Sequence, residues 1–275
     1  MRVLNLGAGV QPTTLALMSQ AGEIEPFDFA VFADTQAEPS AVYDHLDWLI
    51  RQLTFPVLIR TQGDLGANLR SGMHGDGGRC ISIPAFTGAP GNNTGIMRRQ
   101  CTAVYKVDVV ERAIRRDLLS LKVGEKIPQG IAITQIFGLS FDEPSRVARV
   151  RSNHSRKLWS VEFPLFDLEM TRADCVSWLD SYGVPHETPR SACTFCPFRS
   201  NAEWRKMKMR SRKDFESAVE IDDMLRDPES RASKGLDSQL WLHRSCRPLK
   251  EIDFESMPVQ AQFDFDFECE GMCGV

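Results

Sequence analysis

The segment Leu4-Asn5-Leu6-Gly7-Ala8-Gly9-Val10-Gln11-Pro12-Thr13-Thr14-Leu15 constrains the fold more than any other stretch of the chain. It passes from an apolar run to a helical pattern through a few small residues. Residues 1–6 read as a buried strand, and residues 13–18 as the first turns of a helix. A glycine-rich turn between them lets backbone N–H groups approach an anion, and the helix dipole favours its negative charge. Pro12 suits the first helical turn, where its missing N–H costs nothing. The hydroxyls of Thr13 and Thr14 add donors. Two familiar phosphate loops do not fit. There is no Gly-Lys-Ser/Thr ending, and Pro12 stands where Gly-x-Gly-x-x-Gly needs its third glycine. A purely structural β-turn-α unit is the competing reading.

The next elements extend the pattern. Asp28-Phe29-Ala30-Val31-Phe32-Ala33-Asp34-Thr35-Gln36 is an apolar strand ending in Asp-Thr. Residues 40–53 read as a helix with Val42, Leu46, Leu49 and Ile50 on one face, and Val57-Leu58-Ile59-Arg60 as a third strand. This βαβαβ start predicts an α/β fold with a doubly wound, mostly parallel sheet. Ligands of such sheets sit beyond the C-terminal ends of the strands. Asp34 and Thr35 are therefore expected beside the 7–14 loop.

Four motifs in register carry a resemblance. Gly7-Ala8-Gly9-Val10-Gln11-Pro12-Thr13 resembles a PP-loop, Ser-Gly-Gly-x-Asp-Ser/Thr, of the adenine nucleotide alpha-hydrolase superfamily. Phe32-Ala33-Asp34-Thr35-Gln36-Ala37-Glu38-Pro39 with Val42-Tyr43 resembles the Asp-Thr-Gly-x-x-x-Pro-x-Thr-Tyr segment of its phosphoadenosine phosphosulfate (PAPS) reductase branch. Arg99-Gln100-Cys101-Thr102-Ala103-Val104-Tyr105-Lys106 resembles that branch's Cys-Cys-x-x-x-Lys, and Gly138-Leu139-Ser140-Phe141-Asp142-Glu143-Pro144-Ser145-Arg146 its Gly-x-Arg-x-x-Glu-x-x-Arg. The resemblance runs to about residue 205. It implies an adenine nucleotide, ATP or a sulfonucleotide, held by Gly7, Ala8, Gly9, Gln11, Thr13 and Thr14. Asp34 and Thr35 would lie near its base or ribose, with Lys106, Arg146 and Arg149 as anion contacts and Glu143 orienting an arginine or the nucleotide. Mg2+ is a candidate companion. The chain departs from the pattern at Gly7 (usually Ser), Gln11 (usually Asp) and Gln100 (usually Cys).

Eight cysteines in a chain expected to be cytoplasmic point to metal or redox chemistry rather than structural disulfides. Cys193-Thr194-Phe195-Cys196-Pro197 is a Cys-x-x-Cys whose spacing lets two thiolates grip one metal or cluster. The resemblance makes Cys101 the third ligand of a [4Fe–4S] cluster, with Zn2+ as the alternative. Three ligands leave one iron open to sulfide or substrate; a fourth, for which Cys80 is a candidate, would close it. Cys175 reads as core, and Cys246 is ambiguous. The tail holds Glu268-Cys269-Glu270-Gly271-Met272-Cys273. Its start resembles the Glu-Cys-Gly-x-His tail of sulfonucleotide reductases, which makes Cys269 the candidate nucleophile and Cys273 a resolving or persulfide-carrying thiol. The competing readings are a metal site and an inert end.

The net charge of −4 argues against a generic polyanion binder. Two basic groups stand out: Arg146, Arg149, Arg151, Arg156 and Lys157, and then Arg205, Lys206, Lys208, Arg210, Arg212 and Lys213. Each reads as a solvated helix face or as a site for phosphates or a nucleic-acid backbone. No run of eighteen apolar residues and no leader-like start is present, so a cytoplasmic protein with no membrane partner is expected.

Residues 63–97 are glycine-rich and aperiodic and read as a loop or lid, with Arg70 and His74 as candidate phosphate contacts. Residues 101–119, 171–182, 200–210 and 214–226 read as helices, and residues 131–137 as a strand. His45, beside Asp44, reads as a surface residue. A domain over 1–200 is expected to carry the nucleotide site, with 201–275 a helical appendage and tail. The functional expectation is reduction of a sulfonucleotide through the tail cysteine, with a thiol reductant. The alternative is an ATP-dependent sulfurtransferase that thiolates a base, drawing on a sulfur-donor protein and a nucleic-acid substrate. A third is a non-catalytic nucleotide sensor. A homo-oligomer is compatible with each.

Overall fold

The computed structural model describes residues 1–72, 83–154, 159–227, 230 and 238–256. Strands β1 (Arg2–Leu6), β2 (Phe29–Asp34), β3 (Val57–Thr61), β6 (Thr134–Phe137) and β7 (Ser160–Glu162) form one sheet in the order β3-β2-β1-β6-β7. Every pairing within it is parallel. The chain moves outward from β1 to β3, then crosses back to β6 on the other side of β1. The topological switch therefore lies between β1 and β6, where an open α/β sheet binds its ligands.

The strands are apolar on both faces because helices cover both. Leu4 and Leu6 of β1, Ala30 and Phe32 of β2 and Ile136 of β6 join one core with Leu15 and Leu17 of α1 (Val10–Ala21), Val42 and Leu46 of α2 (Ser40–Gln52), and Cys175 and Leu179 of a later helix. That later helix is α7 (Arg172–Tyr182), whose Thr171 cap and Asp174 form a capping box. Val3, Val31, Ala33 and Phe137 alternate to the opposite face. There they meet Val109, Val110 and Ala113 of α4 (Asp108–Ala113) and Val147 and Val150 of α5 (Pro144–His154). The expected core role of Cys175 holds. The helix expected over 101–119 is present as a π-helical turn Ala103–Val107, then α4, then a second π-helical turn Ile114–Leu118.

Residues 63–72 and 83–97 depart from the loop expectation, while residues 73–82 of that stretch lie outside the described residues. Asp64 caps α3 (Leu65–Ser71) by accepting the N–H of Ala67, and Gly72 closes it in the left-handed conformation. Residues Phe86–Ala89 (β4) and Asn92–Ile96 (β5) pair antiparallel, and β8 (Leu240–Trp241) joins them from far along the chain. Helices α8 (Asn201–Arg210) and α9 (Arg212–Arg226) share a core with earlier residues. Trp204, Phe215 and Ile221 pack with Ala37, Leu65, Leu69, Tyr105 and Phe195. The one-turn helix α6 (Pro164–Asp167) links β7 to α7.

No described helix is long and apolar enough to cross a membrane.

Candidate functional site

The 7–14 loop leaves β1 at the switch point. Gly9 is the N-cap of α1; no side chain caps that end, and no acidic residue lies in its first turn. Both features leave the positive end of the helix to another group. Across the switch, Gly138 follows β6. A Cβ there would stand 3.0 Å from Pro12 N and 3.1 Å from its Cγ. Glycine at 138 thus lets the end of β6 approach the first turn of α1 closely.

That approach joins two of the motifs. Gln11 Nε2 donates to Ser140 Oγ at 3.2 Å and to Glu143 Oε2 at 3.1 Å. Glu143 also accepts from Ser140 N and Oγ, each at 3.1 Å, and its other oxygen pairs with Arg146. Gln11, Ser140, Glu143 and Arg146 are all buried. A carboxylate at position 11 would stand against that of Glu143, whereas the Gln11 amide donates to it. The ion pair with Arg146 fixes that guanidinium against Glu143. Arg149, one turn on, is exposed.

Asp34 and Thr35 lie at the end of β2, on the same edge as the loop. Asp34 Oδ1 accepts from Gln36 N at 2.7 Å and from the Tyr43 hydroxyl at 2.8 Å. Burial raises the Tyr43 pKa, and the Asp34 hydrogen bond raises it further. Thr35 is buried, and its Oγ1 lies 3.4 Å from Cys193 Sγ.

The three cysteines come together. Cys101, Cys193 and Cys196 line one small cavity with Thr35, Arg99, Lys106 and Phe195. Two bonds hold the Cys-x-x-Cys turn: Cys196 N donates to Cys193 O at 3.0 Å, and Thr194 N donates to Ala37 O at 2.8 Å. The buried Arg199 donates to the carbonyls of Ala192 at 2.6 Å and Cys193 at 3.0 Å. Burial pushes the Cys193 thiol well up, and Glu38 pushes it further, while Lys106 and the Thr35 hydrogen bond pull it down. Lys106 Nζ pairs with Glu38 Oε1 at 3.5 Å, both side chains being almost wholly buried. Lys106 also lines a second small cavity, with Asn5, Gly7 and Ser191. One lysine thus lines both the cavity beside Gly7 and the cavity of the three cysteines.

Thiols are the donor type that iron–sulfur clusters and zinc take, and these three line one cavity. Among the described residues, no three His, Cys, Asp or Glu side chains are drawn into the arrangement that grips a single ion. Cys80, Cys269, Cys273, His74, Arg156 and Lys157 lie outside the described residues. Arg70, a candidate phosphate contact, makes a two-pronged pair with Glu220 on α9 at 2.7 and 2.9 Å.

Several site residues were not anticipated. Glu38 had only its place after β2 to mark it. His45 is a correction: it is fully buried, not on the surface, and bonds both Thr13 and His186. His45 Nδ1 lies 2.8 Å from His186 Nε2.

No protein-family model matches the chain, and neither a curated protein nor a solved structure is significantly similar to it.

Proposed function

We propose that the chain is an adenine-nucleotide-dependent enzyme of sulfur chemistry, similar to PAPS reductases, that reduces a sulfonucleotide. The observation that carries the reading is Lys106, which lines both the cavity beside Gly7 and the cavity of Cys101, Cys193 and Cys196. A phosphate-type loop and a thiol cluster from distant parts of the sequence adjoin at one buried cation.

In this reading the backbone of Gly7, Ala8 and Gly9 and the hydroxyl of Thr13 hold the phosphates. Lys106 and Arg146 offset their charge, and Arg149 adds a contact from the rim. Cys101, Cys193 and Cys196 hold a [4Fe–4S] cluster, or zinc in its place, which supplies electrostatic stabilisation beside the nucleotide. The Cys269 thiolate attacks the sulfur of the sulfonucleotide. The sulfur–oxygen bond to phosphate breaks, and the nucleotide leaves with its electron pair. Cys269 then carries a sulfonate. Attack by Cys273 on the Cys269 sulfur forms a disulfide and releases sulfite, and a thiol reductant restores both thiols while becoming oxidised itself.

The three-cysteine count favours a second reading. In it ATP adenylates a carbonyl oxygen on a nucleic-acid base, and sulfur from a donor protein displaces AMP.

Sulfite release from PAPS by the full chain, with a dithiol reductant and no oxygen, tests the first reading. Sulfite and adenosine 3′,5′-bisphosphate should appear in equal amounts. Cys269→Ser should abolish both and leave nucleotide affinity unchanged. AMP formation from ATP without sulfite release from PAPS would move the conclusion to the second reading, and turnover of neither would overturn both.

A further inference from the structure

Two histidines with no part in the chemistry described so far form a polar chain with Thr13. Thr13 is fully buried in the opening turns of α1, and its Oγ1 lies 2.9 Å from His45 Nε2 on α2. The His45 ring is stacked on Trp48 at 5.6 Å. Its Nδ1 lies 2.8 Å from Nε2 of His186, an exposed residue after α7. A hydroxyl and two imidazoles therefore run in single file from the phosphate loop to the surface. The neighbouring Thr14 is occupied differently: its hydroxyl donates to the carbonyl of Val10 at 2.9 Å, inside the helix.

Each of these hydrogen bonds needs one proton between its two atoms, and a neutral imidazole has a single N–H. Burial, with His186 adding to it, lowers the His45 pKa to about 4, so the ring is neutral at pH 7. Two proton arrangements satisfy the chain. With the proton on Nδ1, His45 donates to His186 and accepts from Thr13. The hydroxyl then offers its surroundings only lone pairs. With the proton on Nε2, His45 donates to Thr13 and accepts from His186 Nε2–H. The hydroxyl proton is then released to point elsewhere. An anion at the loop is repelled by the first arrangement and bound by the second.

We propose that His45, backed by His186, is a positioning residue that directs the Thr13 hydroxyl proton at the phosphate of a nucleotide on the 7–14 loop; this rests on the nucleotide reading above. His45 touches no reacting atom. It acts by fixing which end of the hydroxyl dipole faces the anion, and the anion in turn selects one tautomer for both imidazoles.

A double-mutant cycle, read by calorimetric titration of the full chain with ATP and with PAPS, tests the coupling. Thr13→Val should weaken binding about tenfold and His45→Phe about fivefold, as for loss of a charge-assisted donor and of its alignment. The double variant should bind no more weakly than Thr13→Val alone. His45→Gln, whose amide N–H can replace Nε2–H, should restore most of the affinity. In 15N spectra of labelled histidine, nucleotide should bring the His45 proton to Nε2. Should His45→Phe fail to fold, the exposed His186→Ala tests the same chain, with a loss of about threefold in wild type and none in Thr13→Val. Multiplied losses in the double variant, or no rescue by glutamine, would overturn the proposal while the nucleotide reading stands. A wild-type chain that binds neither nucleotide would overturn both.

Discussion

Acidification from pH 6.5 to pH 4 is expected to remove about 6 kcal/mol of folding stability, roughly 3 kcal/mol from each of two buried histidines. His45 and His243 both have pKa values lowered from 6.5 to about 4. Burial is the main cause for each; His186 adds to it for His45, and Arg244 for His243. Both rings are held by neighbours that suit a neutral imidazole. His243 Nε2 lies 2.9 Å from Asn201 Oδ1, and its Nδ1 lies 2.7 Å from Ser245 Oγ. The unfolded chain takes up a proton at each histidine as pH falls below 6.5, and the folded chain does not until about pH 4. The unfolded state therefore binds more protons across that window, and stability falls with falling pH. Above pH 6.5 this contribution is fully present. Glu203 adds loss of the same sign at lower pH. Burial works against its charged form, but Arg190 outweighs that and holds its pKa below the usual carboxylate range. Urea unfolding at intervals from pH 7 to pH 4 measures the effect, and His45→Phe should flatten the curve by about half. A pH-independent midpoint across the window would contradict the burial of both rings.

Lys106→Met should destabilise the chain by about 3–5 kcal/mol, since it removes the cation paired with a buried carboxylate. Glu38 is that carboxylate: its side chain is 1% exposed, and that of Lys106 is 8% exposed. Ser191 Oγ donates to Glu38 at 3.4 Å, but a neutral hydroxyl does not replace the cation. Converting the carboxylate to an amide should recover most of the loss, so Lys106→Met with Glu38→Gln should unfold close to wild type. That recovery separates the ion pair from simple packing, because a packing defect at residue 106 would persist in the double variant. Under the proposed function, the same double variant should still lose nucleotide affinity, because the cation between the loop and the thiols is gone. Equal urea midpoints for wild type and Lys106→Met would remove the pair from the account of stability.

Local pattern made much of the fold legible. The apolar runs at β1, β2 and β3, and the helix between Ser40 and Gln52, are short-range features that tertiary packing did not override. Cys193 and Cys196 are neighbours by their spacing, but only the fold brings Cys101 to the cavity they line. His45 was misread for a traceable reason. Its neighbour Asp44 faces outward, but 42, 45, 46 and 49 share one helical stripe, and the same periodicity that buries Val42 and Leu49 buries His45. At residues 63–72 and 83–97 glycine content outweighs the local signals of a helix and a hairpin. Asp64 and Gly72 bracket α3 as caps, and Pro90-Gly91 marks the turn between β4 and β5. The partnership of β4 with β8 joins residues some 150 apart, and no local pattern announces it. Glu38 was invisible for a related reason. Only the fold brings Lys106 and Ser191 to it and turns a loop carboxylate into a buried ionic hub.

Iron and acid-labile sulfide content of the anaerobically purified full chain, with its visible spectrum, tests the central claim most directly. The account predicts about four irons and four sulfides per chain and a broad absorbance near about 400 nm, as thiolate-bound clusters show. Cys193→Ser should lose all three signals. A chain that carries neither iron nor sulfide, with a Cys193→Ser variant indistinguishable from wild type, would contradict it.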